Sequence, residues 1–180
     1  MKDESFKFEY KLRGDISKLK EKKLLGVFTS RHATSYSKKI IKEIVINFHE
    51  TYCFMMTFET FYRLGLESEL GTFVLIYDDE SVNKVKKDST LKVFLKNEIS
   101  EFRLKYLYKD LFISNKSDNV LILEATKYSK NLNILALYAQ ELGKNVYVLP
   151  GRIDSESSKG ANKLIFDGAS PFYTMDLLKT

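Results

Sequence analysis

Wholly apolar runs alternate with amphipathic stretches along most of the chain. Consecutive apolar residues, such as the run that begins at Leu24, are typical of strands buried on both faces of a sheet. Such runs occupy residues 24–29, 52–57, 72–77, 119–124 and 145–149. Helical periodicity separates several of them, at residues 35–50, 131–142 and 158–167. The alternation predicts an α/β fold with one doubly wound, mainly parallel, Rossmann-like sheet.

One domain, residues 1–180, accounts for the whole pattern. No repeat, low-complexity tract or flexible linker divides the sequence, and the charged stretch 78–100 is expected to be a surface excursion. The chain has 180 residues and is 44% hydrophobic, which is enough for one core. No uncharged apolar run approaches the roughly 20 residues that cross a bilayer, and no signal peptide is visible. We therefore expect a cytoplasmic protein that does not bind membranes.

Residue types that carry most catalytic and metal chemistry are scarce. The single cysteine, Cys53, lies in an apolar run and is expected to be a buried structural thiol. The two histidines, His32 and His49, lack the spacing of metal ligands. The eight glycines form neither a dinucleotide-binding motif nor a Walker loop, and no serine lies in a nucleophile elbow. The sequence thus predicts no catalytic residues, no cofactor and no metal site.

Two loops at predicted strand ends combine small polar residues with cations, and ligands of such folds bind at the carboxyl ends of strands. The first loop, residues 29–37, contains Ser30 and Arg31 just before a helix. Free N–H groups at that helix start and the guanidinium of Arg31 could hold one phosphate. An ordinary helix cap by Thr34 or Ser35, with a solvated Arg31, explains the same spacing.

The second loop, residues 150–169, begins with Pro-Gly after a buried strand and brings further polar groups toward the same rim. These are Arg152, Lys159 and Asn162. The net charge of +5 permits a polyanionic partner without requiring one. From the residues alone this is an anion-friendly loop of unspecified purpose.

The order of these motifs resembles the DNA-processing protein A family, known as DprA or Smf. The resemblance spans roughly residues 12–178. Near the start, Ser30-Arg31 and Ala33-Thr34 fit the family's opening strand and phosphate-binding turn. Further matching positions are 120–125, 129, 143–151, 153–155, 158–160, 162, 164–165 and 167–169.

Several positions depart from the family pattern. Thr29 replaces the glycine before Ser-Arg, and residues 56–63 keep nothing of the glycine-containing motif after the second strand. Close approach of a phosphate to the backbone normally needs glycine. The segment 56–63 is therefore expected not to admit a phosphate. Lys109-Asp110 stands where the family has Arg-Asn-Arg. The resemblance therefore indicates a minimal, diverged member.

The resemblance implies a non-enzymatic protein that binds single-stranded DNA during transformation, hands it to the RecA recombinase and acts as a homodimer. Cations at strand ends would follow the phosphates, and aromatic residues such as Tyr106 or Tyr128 would stack on bases. The candidate DNA-binding residues are Ser30, Arg31, Arg103, Lys109, Ser129, Lys130, Arg152, Lys159 and Asn162.

Two alternatives remain open. Loss of the glycine loops would leave a scaffold or protein-interaction module that no longer binds DNA, in which case the cations would scatter instead of converging near Arg31. The third hypothesis is a nucleotide-processing enzyme of the lysine-decarboxylase-like type. Those enzymes carry Pro-Gly-Gly-x-Gly-Thr, whereas Pro150-Gly151 continues here into Arg152-Ile153.

Overall fold

A computed structural model of the chain describes residues 8–78, 90–96 and 99–179. The strands are β1 (Glu9–Arg13), β2 (Lys23–Thr29), β3 (Tyr52–Thr57), β4 (Phe73–Tyr77), β5 (Thr90–Lys96), β6 (Asn119–Glu124), β7 (Asn145–Val148) and β8 (Ser170–Pro171). The α-helices are α1 (Ser35–Phe48), α2 (Phe58–Arg63), α3 (Phe102–Lys116), α4 (Lys130–Glu141) and α5 (Lys159–Phe166). Short 3₁₀ helices occupy Ile16–Leu19, Ser68–Leu70 and Met175–Leu178.

The described strands form one sheet in the order β1-β5-β4-β3-β2-β6-β7-β8. All neighbouring pairs are parallel except β1 with β5, which is antiparallel. From β2 the chain proceeds through β3 and β4 to β5, and from β6 it proceeds in the opposite direction to β8. The prediction of a doubly wound, mainly parallel sheet is confirmed, and its switch point lies between β2 and β6.

Two apolar layers cover the two faces of the sheet. Ile44 of α1 and Phe61 of α2 belong to the first layer, which includes Leu121 of β6. Leu135 of α4 belongs to the second layer, which includes the next residue of β6, Ile122. Consecutive residues of a central strand are thus buried on opposite faces, which explains why most positions of these strands are apolar.

The unbroken apolar runs of the sequence do not include three strands, β1, β5 and the two-residue β8. β5 lies inside the stretch that was expected to be a surface excursion, and its residues Leu91, Val93 and Leu95 are buried, so that expectation is wrong for residues 90–96. Residues 79–89 and 97–98 of the same stretch lie outside the described residues. β1 is mostly exposed and charged, as an edge strand can be.

Two further expectations can be compared with the structure. Cys53 is fully buried in β3, and its thiol lies 3.5 Å from the carbonyl oxygen of Lys18, so the prediction of a buried thiol is confirmed. Gly143 and Gly168 follow α4 and α5 with φ angles of 73° and 112°, as left-handed helix stops do. None of the described helices is long and apolar enough to span a membrane.

The start of α5 packs directly on the backbone that leaves β6. The N–H group of Ala161 donates to the carbonyl oxygen of Ala125 at 2.9 Å. A Cβ atom added to Gly160 would lie 2.2 Å from the carbonyl oxygen of Thr126 and 2.7 Å from that of Ala125. Gly160 therefore permits this close approach because it has no side chain.

We predict that Gly160→Ala destabilises the fold although alanine favours helices. The clash is with backbone, so relieving it must move α5 or the loop, at a cost of about 2 kcal/mol. The adjacent exposed substitution Lys159→Ala should change the free energy of unfolding by less than about 0.5 kcal/mol. Urea denaturation of both variants measures the difference. Equal stability of the two variants would contradict this packing.

Candidate nucleic-acid interface

The carboxylate of Glu124, the last residue of β6, holds the loop that follows β2. Glu124 is buried, and its carboxylate accepts hydrogen bonds from the Thr34 N–H group, at 3.0 Å, and from the Thr34 hydroxyl. Its carbonyl oxygen accepts from the Ser30 N–H group at 2.9 Å. The loop from Ser30 to Thr34, which we call the Arg31 turn, is therefore fixed to the central strand at both of its ends.

Helix α1 starts with an ordinary side-chain cap. The Thr34 hydroxyl oxygen accepts from the Ser37 N–H group at 3.5 Å, which matches the predicted capping role. The N–H groups of Ser35 and Tyr36 lie in the first turn and have no acceptor earlier in the helix. The cap and the Glu124 carboxylate thus leave part of the helix start able to bind an anion.

Arg31 itself is exposed, and it makes no hydrogen bond or ion pair with any described residue. The neighbouring His32 is also exposed, as expected. Ser30 is buried, and its hydroxyl donates to the His32 carbonyl oxygen at 3.4 Å, so its side chain stabilises the turn. Of the two predicted contacts in this turn, Arg31 is the one that solvent can reach.

The loop after β6 presents an aromatic ring beside a cation. The Ser129 hydroxyl oxygen accepts from the Thr126 N–H group at 3.0 Å, and Thr126 in turn accepts from the Tyr128 N–H group at 3.3 Å. The Tyr128 side chain is 76% exposed. The ammonium of Lys127 lies 4.9 Å from the centroid of its ring. The predicted Ser129 contact is thus used to shape the loop that carries Tyr128.

Two more exposed cations lie at the adjoining starts of α3 and α4. Lys130 is the first residue of α4, and Arg103 is in the first turn of α3. The two helix starts are joined by the Asn131 amide, which donates to the Arg103 carbonyl oxygen at 3.5 Å. Within the described ranges neither Lys130 nor Arg103 forms an ion pair. Because β2 and β6 are adjacent, Arg31 and the loop with Tyr128 and Lys130 lie on one rim of the sheet, and the Asn131 contact brings Arg103 to the same rim.

The cations of the loop after β7 are exposed but paired with acidic side chains nearby. The guanidinium of Arg152 binds the Asp154 carboxylate through two hydrogen bonds of 2.9 and 2.7 Å and lowers the pKa of Asp154. Lys159 binds the Glu156 carboxylate and lowers the pKa of Glu156. These predicted phosphate contacts would first have to leave their acidic partners.

Asn162 was expected to face the ligand rim, but its side chain binds the backbone of Gly151. Its side-chain oxygen accepts from the Gly151 N–H group at 3.1 Å, and its amide nitrogen donates to the Gly151 carbonyl oxygen at 2.9 Å. This two-point contact fixes the exit from β7 to helix α5. The amide of Asn162 is thus occupied by backbone, which corrects the predicted orientation.

Lys109 was predicted to bind DNA phosphates, but its side chain is buried and forms ion pairs within the protein. Its side chain has no exposed surface, and its ammonium lies 3.0 Å from the Asp78 carboxylate and 3.4 Å from that of Glu59. Burial alone would lower the pKa of Lys109, but the two carboxylates outweigh it and raise that pKa. The ammonium also lies 4.5 Å from the ring centroid of Tyr106, a half-buried residue. Among the described residues, an ion cluster of Lys109, Glu59 and Asp78 therefore lies at the carboxyl ends of β3 and β4.

The diverged segment 56–63 forms the end of β3 and the whole of α2. The Thr57 hydroxyl caps this helix by accepting from the Thr60 N–H group at 3.1 Å. The last residue of the helix, Arg63, is half-buried and donates to the Ser30 carbonyl oxygen at 3.3 Å. Sequence reasoning missed this support, although Thr57 and Gly65 flank the helix as a cap and a stop signal.

Asp110 follows Lys109 and is affected by the same ion cluster. Burial raises the pKa of Asp110 to about 7, Lys109 and Arg63 oppose that rise, and Glu59 adds to it. The folded protein therefore holds a proton that an ordinary aspartate, with a pKa of about 3.9, has already released. The stabilisation from this protonation is complete below about pH 4 and is lost as the pH rises through about 7.

We predict that Asp110→Asn flattens the dependence of stability on pH between about 5 and 8. At pH 8 the variant should exceed the wild type by about 2 kcal/mol, roughly half the effect of the full pKa shift, because Asp110 keeps partial solvent access. Urea denaturation across this pH range measures it. Asp154→Asn is the control, since its pKa is lowered and it does not titrate in this range. Parallel profiles for wild type and Asp110→Asn would contradict the assignment.

Comparison with known proteins gives matches to one family and to solved structures. Residues 93–179 match the family model of DNA recombination-mediator protein A. The structure of DNA processing protein A from Helicobacter pylori, reported for its single-stranded DNA binding mode, has a TM-score of 0.74 and 16% identity. The match covers 94% of this chain and 85% of the Helicobacter pylori chain. No curated protein gives a match.

Two further solved structures share the fold. DprA from Streptococcus pneumoniae has a TM-score of 0.70 and 18% identity. The match covers 93% of this chain and 64% of the pneumococcal chain. This chain therefore spans less than two thirds of the pneumococcal protein. TM1055 has a TM-score of 0.58 and 16% identity, with 86% of this chain and 94% of that one covered. The resemblance predicted from the motifs is confirmed: residues 93–179 match the family model of DNA recombination-mediator protein A, and the chain shares the fold of the two DprA structures.

Proposed function

We propose that the chain binds single-stranded DNA, without base specificity and without catalysis, across the rim formed by Arg31, Tyr128, Lys130 and Arg103. One observation carries the proposal: three exposed cations that lack ion-pair partners among the described residues lie with an exposed aromatic ring at the carboxyl edge of the sheet, where β2 and β6 meet at the switch point. This grouping favours a retained binding surface over scattered surface charge.

Each part of the rim has a separate physical role. The guanidinium of Arg31 and the first-turn N–H groups of α1 would bind one phosphate, since charge-assisted and backbone hydrogen bonds reach it together. Lys130 and Arg103 would neutralise phosphates further along the strand. The exposed ring of Tyr128 would stack on a base, which requires an unpaired base and therefore favours single strands over duplex.

Other aspects of the proposal rest on the family resemblance. We propose that the chain works in the cytoplasm as a homodimer and passes the bound strand to the RecA recombinase. The rim described here contains neither a nucleophile activated by a base nor a cluster of metal-binding side chains among the described residues. A role in binding and transfer fits this surface better than chemistry on the nucleic acid.

A scaffold that has lost DNA binding is the second candidate. The observation in its favour is that Lys109, Arg152 and Lys159 are all engaged by carboxylates of the same chain. If the remaining rim is too weakly charged, no salt-dependent affinity will be found. The following experiment decides between the two candidates.

We predict that Arg31→Ala weakens binding of a labelled oligothymidylate and reduces the slope of log affinity on log salt by ~0.7, the value for one phosphate contact on a single strand. The loss should be similar for oligonucleotides of different sequence. Folding should be unaffected, because Arg31 is exposed and makes no contact that stabilises the fold. Titration at several salt concentrations measures both quantities.

Lys20→Ala is the matched control. Lys20 is an exposed cation that precedes β2, at the opposite edge of the sheet, so the substitution changes net charge equally but leaves the rim intact. It should leave the salt slope at the wild-type value. If a folded Arg31→Ala variant binds like Lys20→Ala, the proposed rim is not the binding surface. If the wild type does not bind at all, the scaffold is the correct function.

A further inference from the structure

We infer that Arg63, from the diverged segment at the end of β3, positions Arg31 for its contact with phosphate. This inference rests on the proposed function, because it assigns Arg63 a role only if Arg31 binds nucleic acid. Arg63 is half-buried and donates through Nη1 to the Ser30 carbonyl oxygen at 3.3 Å. It acts through the backbone and is a positioning residue.

The peptide group between Ser30 and Arg31 explains how the effect is transmitted. The Ser30 carbonyl and the Arg31 N–H group belong to one planar unit, so fixing that carbonyl fixes the Arg31 N–H group and the position of the Arg31 Cα atom, from which the side chain starts. On the other side of Ser30, its N–H group donates to the Glu124 carbonyl oxygen at 2.9 Å. Ser30 is thus held at both of its polar backbone atoms, by β6 and by α2.

Arg63 is itself held in place by its surroundings. It ends helix α2, which the Thr57 hydroxyl caps and whose residue Phe61 is buried in the core. Its charge acts on Asp110, lowering that pKa against the effect of burial. A residue supported in this way can restrain the Arg31 turn before any ligand arrives, which removes part of the ordering cost from binding.

A double-mutant cycle of Arg63→Met and Arg31→Ala tests the inference. In the wild-type background, Arg63→Met should weaken oligothymidylate binding about 5- to 10-fold by releasing the turn. In the Arg31→Ala background the same change should weaken binding by no more than about twofold, with no further fall in the salt slope. Arg63→Lys keeps a charged donor and should recover most of the affinity.

Lys22→Met is the matched control for a lost contact between a cation and a carbonyl. Lys22 is half-buried and donates to the His49 carbonyl oxygen at 2.7 Å, at the opposite edge of the sheet. It should leave the coupling with Arg31→Ala at zero even if it lowers the thermal stability. If Arg63→Met does not fold, Arg63→Gln replaces it in the cycle.

The possible results separate the two levels of the argument. If Arg31→Ala has no effect, the proposed function fails and the inference fails with it. If Arg31→Ala weakens binding but Arg63→Met has no effect, the inference alone is overturned. If the two losses are additive and Arg63→Met lowers the salt slope by a further ~0.7, Arg63 contacts phosphate itself and does not act through Arg31.

Discussion

The buried carboxylate of Glu124 joins the two halves of the sheet at the point where the candidate interface lies. A buried carboxylate is stable when hydrogen-bond donors satisfy it, and Thr34 provides both a backbone N–H group and a hydroxyl. The negative charge also lies at the start of α1, where the helix dipole favours it. Through this contact the end of β6 determines where α1 begins and how the Arg31 turn is held.

The carboxyl edge of the sheet is thereby divided into an open and a closed part. Over β3 and β4, the Lys109 ammonium and the carboxylates of Glu59 and Asp78 bind one another, so Lys109 is not available to a phosphate. Over β2 and β6, Arg31 and Lys130 are exposed beside Tyr128. A strand that follows the open part would run from the start of α1 toward the starts of α3 and α4.

The central strands could be predicted because both of their faces are buried, so most of their residues are apolar. Strand β1 could not be predicted from its residues, because an edge strand tolerates charge. Strand β5 could not be predicted because charged residues surround it in the sequence. The loops of the site followed from the topology, because ligands bind at the carboxyl ends of strands. The sequence did not show which cations are available to a ligand, because Lys109 binds Glu59, which lies 50 residues away in the chain.

Two of the ion pairs could nevertheless have been predicted from the sequence. Asp154 lies two residues after Arg152, and Glu156 lies three residues before Lys159, so both acidic partners were visible in the same loop. The role of Arg63 was not, because its acceptor is a backbone carbonyl 33 residues away. The sequence thus indicates which residue types reach the rim, whereas tertiary contacts decide which of them remain available to a ligand.

The most direct test of the central claim is the location of the bound strand. Amide chemical shifts of the isotopically labelled chain, followed during titration with a short oligothymidylate, report which backbone groups the ligand approaches. We expect salt-sensitive shifts in residues 30–36 and 126–131, with much smaller shifts at the ion cluster around Lys109. Shifts centred on that cluster or on the loop after β7, with the Arg31 turn unperturbed, would contradict the claim.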